Sequence, residues 1–218
     1  RAIAKNDSIP LAFAFKSLLN AIGFRVGMLR HDNSVVSETI ESAERALVLN
    51  SQSSAILGLA GCALCDVGQL ARGEPILDRA IELDPMNGHA HAAKGAALMM
   101  RKEFKAALVP LRRSFEISPA DSRLAVWGAV LAMAELRCGQ LDKARGNVEK
   151  AVSRDDHNYL PRLAALAVYL TQKDDASFKR ALSELLRVHP KITSDEVLFF
   201  VGSKASDVIW PRIIAAQV

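Results

Sequence analysis

The chain has 218 residues, half of them hydrophobic, and its 28 Lys and Arg against 24 Asp and Glu leave a formal net charge of +4. That is ample material for a core and too small a charge excess to mark a nucleic-acid or membrane-surface protein. Three cysteines do not build a disulfide framework, and neither a basic-apolar-small leader nor an apolar run of about 18 residues is present, so a soluble cytoplasmic protein is expected.

The first residue is Arg1, inside a stretch without an obvious cap, as expected of a cut from a longer chain. After Asp7-Ser8, with Pro10 tolerated in a first turn, Leu11, Phe15, Leu18, Leu19, Ile22 and Val26 recur at helical spacing. His31-Asp32-Asn33-Ser34 reads as a turn and cap, and a second helix follows to about Leu49. Turns at 67–69, 85–88, 101–103, 119–122, 138–140, 155–158 and 173–176 divide the sequence beyond into paired helices. Pro75 and Pro110 fall in the second helix of their pairs, and Pro110 is deep enough to predict a kink. Past Pro190, Thr193 and Ser194 cap a helix whose first turn carries Asp195 and Glu196, with Val197, Phe199, Phe200 and Val201 as apolar cover. A second apolar segment, Val208, Ile209, Trp210, Ile213 and Ile214, is broken by Pro211.

An internal period organises these helices. Gly27, Gly61 and Gly95 stand 34 residues apart, and Pro85 and Pro119 repeat the interval. Leu57, Ala60, Gly61 and Leu64 return as His91, Lys94, Gly95 and Leu98; Ala46, Ala80 and Ser114 share one slot, and Ala43, Leu77 and Leu111 another. The repeated unit is a helix hairpin in which small residues allow close approach and aliphatics fill the gaps. A proline after Asp84 or Ser118 stops the second helix.

These residues resemble the tetratricopeptide repeat. Residues 54–87 match with Leu57, Gly61, Leu64, Leu77, Ala80 and Pro85, and 88–121 with Gly95, Leu98, Ala107, Leu111 and Pro119. A unit at 122–158 keeps Ala129, Ala144, Val148 and Ala151, with a first helix three residues longer and Asp156 at the proline position. One at 159–192 keeps Tyr169, Leu182 and Pro190 but has Leu166 at the glycine position, and one at 20–53 keeps Gly27, Ala43 and Ala46 and ends in Asn50-Ser51. The resemblance implies an all-α, right-handed superhelical solenoid of about five antiparallel helix hairpins over 1–192, preceded by an N-terminal lead-in, with 193–218 as capping helix and apolar tail.

It also implies a concave surface lined by first helices. The matching positions are Met28, Ala55, Gly58, Cys62, Cys65, His89, Ala92, Ala96, Met99, Arg123, Val126, Val130, Met133, Leu163 and Ala167. Among them Met28, Cys62, Cys65, His89, Met99, Arg123, Val126, Val130, Met133 and Leu163, with Trp210 from the tail, are the candidate partner-binding residues. The carboxylate clamp that part of the family uses is absent, because Arg123 is the one strong cation and no asparagine accompanies it. A small, apolar, methionine-containing groove suits a helix or hydrophobic peptide; the alternative is that these residues pack on one another or on the chain's own ends. Cys62 and Cys65 form C-x-x-C within a helix, without the second pair or spaced histidines of a metal site, and read as buried structural thiols. No nucleophile-base constellation, phosphate loop or paired-carboxylate site appears, so neither an enzyme nor a cofactor is expected. Arg101, Lys102, Lys105, Arg112 and Arg113 gather positive charge that Glu103 and Glu116 dilute, favouring a solvated face over a nucleic-acid site.

The expected function is a non-catalytic protein-protein interaction module. Segments 77–85 and 122–128 look like the repeat tails of bacterial cyclases and winged-helix regulators, which implies a regulatory or dimerising region of a larger bacterial signalling protein. A stand-alone adaptor or chaperone for an apolar client is the alternative, and an accessory domain of a glycosyltransferase a third. The apolar tail further suggests a homodimer through 193–218 or the last repeat.

Overall fold

The computed structural model describes residues 9–25, 32–119 and 124–217. Gly27, Met28 and Arg123 therefore lie outside the described residues. The regular structure among the described residues is entirely helical: α1 Pro10–Arg25, α2 Asn33–Leu49, α3 Ser54–Asp66, α4 Leu70–Leu83, α5 Gly88–Met100, α6 Phe104–Ile117, α7 Leu124–Arg137, α8 Leu141–Arg154, α9 Tyr159–Gln172, α10 Asp175–Val188, α11 Ser194–Val201 and α12 Ser203–Gln217. They pair in chain order into hairpins and form two units. The first, ending at Ser118, holds the hairpins α1/α2, α3/α4 and α5/α6; the second, from Pro119, holds α7/α8, α9/α10 and the shorter α11/α12.

One backbone device makes the turn inside four of the hairpins. Gly68, Lys102, Gly139 and Lys173 each adopt positive φ, between 58° and 84°. The amide after each reaches back over the helix end, Gln69 to Leu64 O (2.8 Å), Glu103 to Leu98 O (2.9 Å), Gln140 to Glu135 O (2.9 Å) and Asp174 to Tyr169 O (3.0 Å). These are Schellman closures, which satisfy the carbonyls a helix end leaves free. Two of the four put lysine where glycine is favoured, which hid the common geometry from a glycine-based reading.

The left-handed residue also fixes the register of the two helices. Seven residues before it stand Gly61, Gly95, Ala132 and Leu166, and five after it Gly73, Ala107, Ala144 and Phe178. The slot equivalent to Gly95 is thus Ala132, not the Ala129 of the sequence alignment. In the α3/α4 hairpin a Cβ on Gly61 would stand 2.9 Å from Leu77 Cγ, and one on Gly73 2.7 Å from Gly61 O. In α5/α6 a Cβ on Gly95 would stand 2.8 Å from Leu111 Cδ2. The glycines are therefore contact residues between helix backbones. The α9/α10 hairpin puts large residues in both slots, and Leu166 and Phe178 are both fully buried.

Between hairpins, proline is not what makes the turn. Asp84 Oδ1 accepts from Met86 N (2.9 Å), Asp155 Oδ1 from His157 N (2.8 Å) and Asn50 Oδ1 from Gln52 N (3.0 Å). The residue three further on then caps the next helix: Asn87, Asn158 and Ser53. Asn50 and Asp155 thus build without proline the turn that Asp84 builds beside Pro85. Asn87 also donates through Nδ2 to Ser54 O (3.0 Å) and Ser54 Oγ (2.8 Å), and Ser54 Oγ donates to Ala80 O (2.8 Å), tying α5 to the preceding hairpin.

Two expectations need correction. Pro211 does not break the tail, because α12 runs continuously through it; Pro211 and Asp207, whose carbonyl loses its helical donor, both face solvent. The turn expected at 173–176 is shorter, since Asp174 caps α10 by accepting from Ser177 N (3.0 Å). Pro75 and Pro110 lie inside α4 and α6.

Candidate functional site

The candidate groove residues divide by burial. Cys62, Cys65, Val130, Met133 and Leu163 are buried, whereas His89, Met99, Val126 and Trp210 are partly exposed; Met28 and Arg123 fall outside the described residues. The first five are therefore packing residues and not an open lining, which corrects the concave-surface assignment. The reason is that a first helix has its own second helix on one side and first helices of adjacent hairpins on others: ten successive residues of α3, Ile56 through Cys65, are buried. A helix that is apolar all round is an interior helix.

The Cys65 thiol is chemically quiet. Burial, helped by the negative charges of Asp66 and Glu74, pushes Cys65 up to about 12, so it stays protonated and is neither nucleophile nor metal ligand at neutral pH. Asp66 shares this environment. Burial raises its carboxyl above the usual range, although the Arg25 guanidinium donates to it at 2.6 Å. Among the described residues no cluster of three or more His, Cys, Asp or Glu is placed to hold a metal. His91 Nε2 lies 3.1 Å from Pro85 O, and His189 Nε2 lies 3.0 Å from Glu196 Oε1; both imidazoles sit at helix junctions.

Arg101 and Arg113 of the basic cluster, and Lys94 earlier in α5, are paired with carboxylates. Arg101 donates to Glu74 (3.2 Å) and Glu103 (2.9 Å), Lys94 meets Asp78 (2.9 Å), and Arg113 donates to Glu116 (3.0 Å). Such exposed pairs add little stability, but they leave a mixed-sign face rather than a basic stripe.

Sequence reasoning missed three interior charged residues. Arg162, 2% exposed, donates to Asp155 O (3.0 Å) and Asn158 O (2.8 Å) and so locks the turn before α9. Glu135 is buried in α7 and accepts from Asn147 Nδ2 (2.7 Å) on α8. Asp66 is the third. Arg162 and Glu135 are charges set among Ala and Leu in a first helix and Asp66 ends such a run, a signal legible in the sequence because such a charge is buried only with partners.

The exposed apolar surface lies elsewhere, on α1. Leu11, Phe15, Leu19 and Ile22 follow i, i+4, i+8 and i+11 spacing along one stripe, and all are exposed, Leu19 to 64%. The adjoining stripe, Ala14, Ser17, Leu18 and Ala21, is buried. In the tail, Val197, Val201, Ile209 and Ile213 are fully buried, whereas Leu198, Phe199, Val208 and Ile214 are exposed. The tail thus consumes much of its apolar surface in packing.

No protein-family model and no curated protein matches the chain. Solved structures do. PilW, a widely conserved type IV pilus biogenesis factor, is similar over 91% of this chain and 85% of its own at 21% identity and a TM-score of 0.64. PilF of Pseudomonas aeruginosa gives 12% identity and a TM-score of 0.66, covering 95% of this chain and 89% of its own. YrrB, a tetratricopeptide protein with an unusual peptide-binding site, gives 18% and 0.56, covering 91% and 94%. The chain has the tetratricopeptide-type helical fold. Among the described residues no helix is long and apolar enough to cross a membrane.

Proposed function

We propose that this chain is a non-catalytic protein-protein interaction module. The observation that carries the reading is the coherent apolar stripe of α1, which a helix-pair fold leaves open while its first helices farther along are covered. The protonated Cys65 thiol and the imidazoles held at helix junctions support a role without covalent chemistry. The partner is a protein or peptide with an apolar segment, and peptide binding by the similarly folded YrrB supports this choice. Within that reading the chain is the regulatory or dimerising part of a larger bacterial, cytoplasmic signalling protein, as the likeness of segments 77–85 and 122–128 to cyclase and regulator tails suggests.

A designed Leu- and Lys-containing amphipathic helical peptide, added during hydrogen-deuterium exchange, tests the reading. Protection along α1 supports it. No protection in any helix at peptide concentrations of about 1 mM, far above a modest affinity, overturns it.

A further inference from the structure

We infer that α11 is the internal occupant of a binding groove across the first helices of the second unit, and that a helix of a partner protein binds there by displacing it. This rests on the interaction-module reading and adds a second surface to it, one that the chain itself holds closed.

The packing of the last pair departs from the others. The first helices α3, α5 and α9 each stack on both helices of the preceding hairpin. In the last pair α12 takes that place, on α9 and α10, while α11 lies along α9. From α9 it reaches α7, where Arg137 donates through Nη2 to Val201 O at the C-terminal end of α11. At the other end His189 Nε2 stands 3.0 Å from Glu196 Oε1 in the first turn. Between these two anchors Val197 and Val201, one turn apart, are fully buried. A segment that bridges two first helices in this way sits as a groove ligand does. The matching partner is a helix with an acidic first turn, aliphatic residues four apart and a C-terminal carbonyl offered to a guanidinium.

Three features let α11 leave. At eight residues it is shorter than the ~12–15 that an isolated helix needs, and its Leu198 and Phe199 stay exposed even when it is docked. Gly202 ends it at φ 79° and ψ 163°, a conformation essentially confined to glycine, and a Cβ there would stand 2.6 Å from Arg137 Nη2. Finally, α12 has anchors of its own: Arg212 lies 4.7 Å over the Phe178 ring, Gln217 donates to Pro190 O (3.0 Å), and Ile209 and Ile213 are fully buried. Residues 189–202 are therefore free to open as a loop while α12 stays in place.

Thr193→Ala and Arg137→Met test this on the whole chain, since both positions are exposed and each substitution removes one tie of α11. Loss of the Thr193 cap should raise the open population about fivefold, and with it the apparent affinity of a competing helix. The probe is a fluorescein-labelled, end-blocked peptide of sequence 193–201, followed by anisotropy, with Val197→Asp in the peptide as control. The expected result is about fivefold tighter binding to Thr193→Ala than to the native chain, and at least tenfold weaker binding of the control peptide. Hydrogen exchange of the α11 amides should quicken in both variants while α9 and α10 keep their native rates. Equal affinity for the native chain and Thr193→Ala, equal binding of the control peptide, or no binding to Thr193→Ala at about 1 mM peptide overturns the inference. So does exchange that quickens together in α9, α10 and α11, which would make α11 an inseparable part of the core. A peptide that protects α1 and neither α7 nor α9 overturns the groove and still upholds the interaction reading.

Discussion

Gly95→Ala isolates the close approach on which the hairpins depend. The added methyl would lie 2.8 Å from Leu111 Cδ2 and 3.3 Å from Ala107 O, against about 3.5–4.0 Å for a comfortable carbon-carbon contact. Leu111 is fully buried, so overpacking costs about 1–3 kcal/mol. Alanine in a helix interior offsets about 1 kcal/mol of this relative to glycine. The expected net effect is a loss of up to about 2 kcal/mol, or a midpoint lowered by several degrees in a chain of this size. Gly146→Ala is the control, because a Cβ there meets nothing within 4 Å and the same propensity gain should raise the midpoint by about 2–4 °C. The sharper assay is a double-mutant cycle with Leu111→Ala, which costs about 2–5 kcal/mol alone and empties the space the methyl needs. In that background Gly95→Ala should become stabilising. Thermal melts of the four proteins decide: if Gly95→Ala raises the midpoint with Leu111 in place, as Gly146→Ala does, the close-contact argument fails.

Lys102→Gly and Lys173→Gly should each stabilise by up to about 1 kcal/mol, because both lysines hold a left-handed backbone; a lowered melting midpoint in either contradicts the turn assignment. Asp174 is held down at about 2 by the Ser177 amide and hydroxyl and by Arg145. A depressed carboxyl contributes stability that is present above its unfolded value near 3.8 and lost as pH falls through about 2. Carboxyl NMR titration of Arg145→Met should find Asp174 moved upward, and an unchanged value would exclude the Arg145 contact. Iodoacetamide at pH 8 should modify Cys138, which is partly exposed, and spare the buried Cys62 and Cys65 in the folded chain; mass mapping that finds the buried pair labelled refutes their packing. Val130→Glu should reduce helical content rather than only a surface contact, since Val130 is 7% exposed and an ionised replacement has no assigned partner.

The repeat was legible because the small residues that permit close approach must recur wherever the helices touch, as Gly61 and Gly95 do. The turns were legible wherever glycine or proline carries them. Where lysine adopts the left-handed conformation, or Asn50 and Asp155 replace proline chemistry with a side-chain acceptor, the same geometry has no single-residue signature. The groove was misread for a different reason. Alternation along a helix tells which residues share a face, but not how many neighbours cover that face, so Met133 and Leu163 looked like lining and are interior. The stripe on α1 was visible as spacing; that it faces outward depends on what stands next to it, which no local pattern states.

Leu166 and Phe178 make the α9/α10 hairpin a poor template for its neighbours. The α3/α4 and α5/α6 hairpins each set a glycine of the first helix against the second helix of the same hairpin, whereas α9/α10 fills the equivalent crossing with two buried side chains. The separation of paired helices is therefore a property of each hairpin's own crossing, and a first helix carrying glycine there, transplanted opposite Phe178, would find its partner held at the wrong distance.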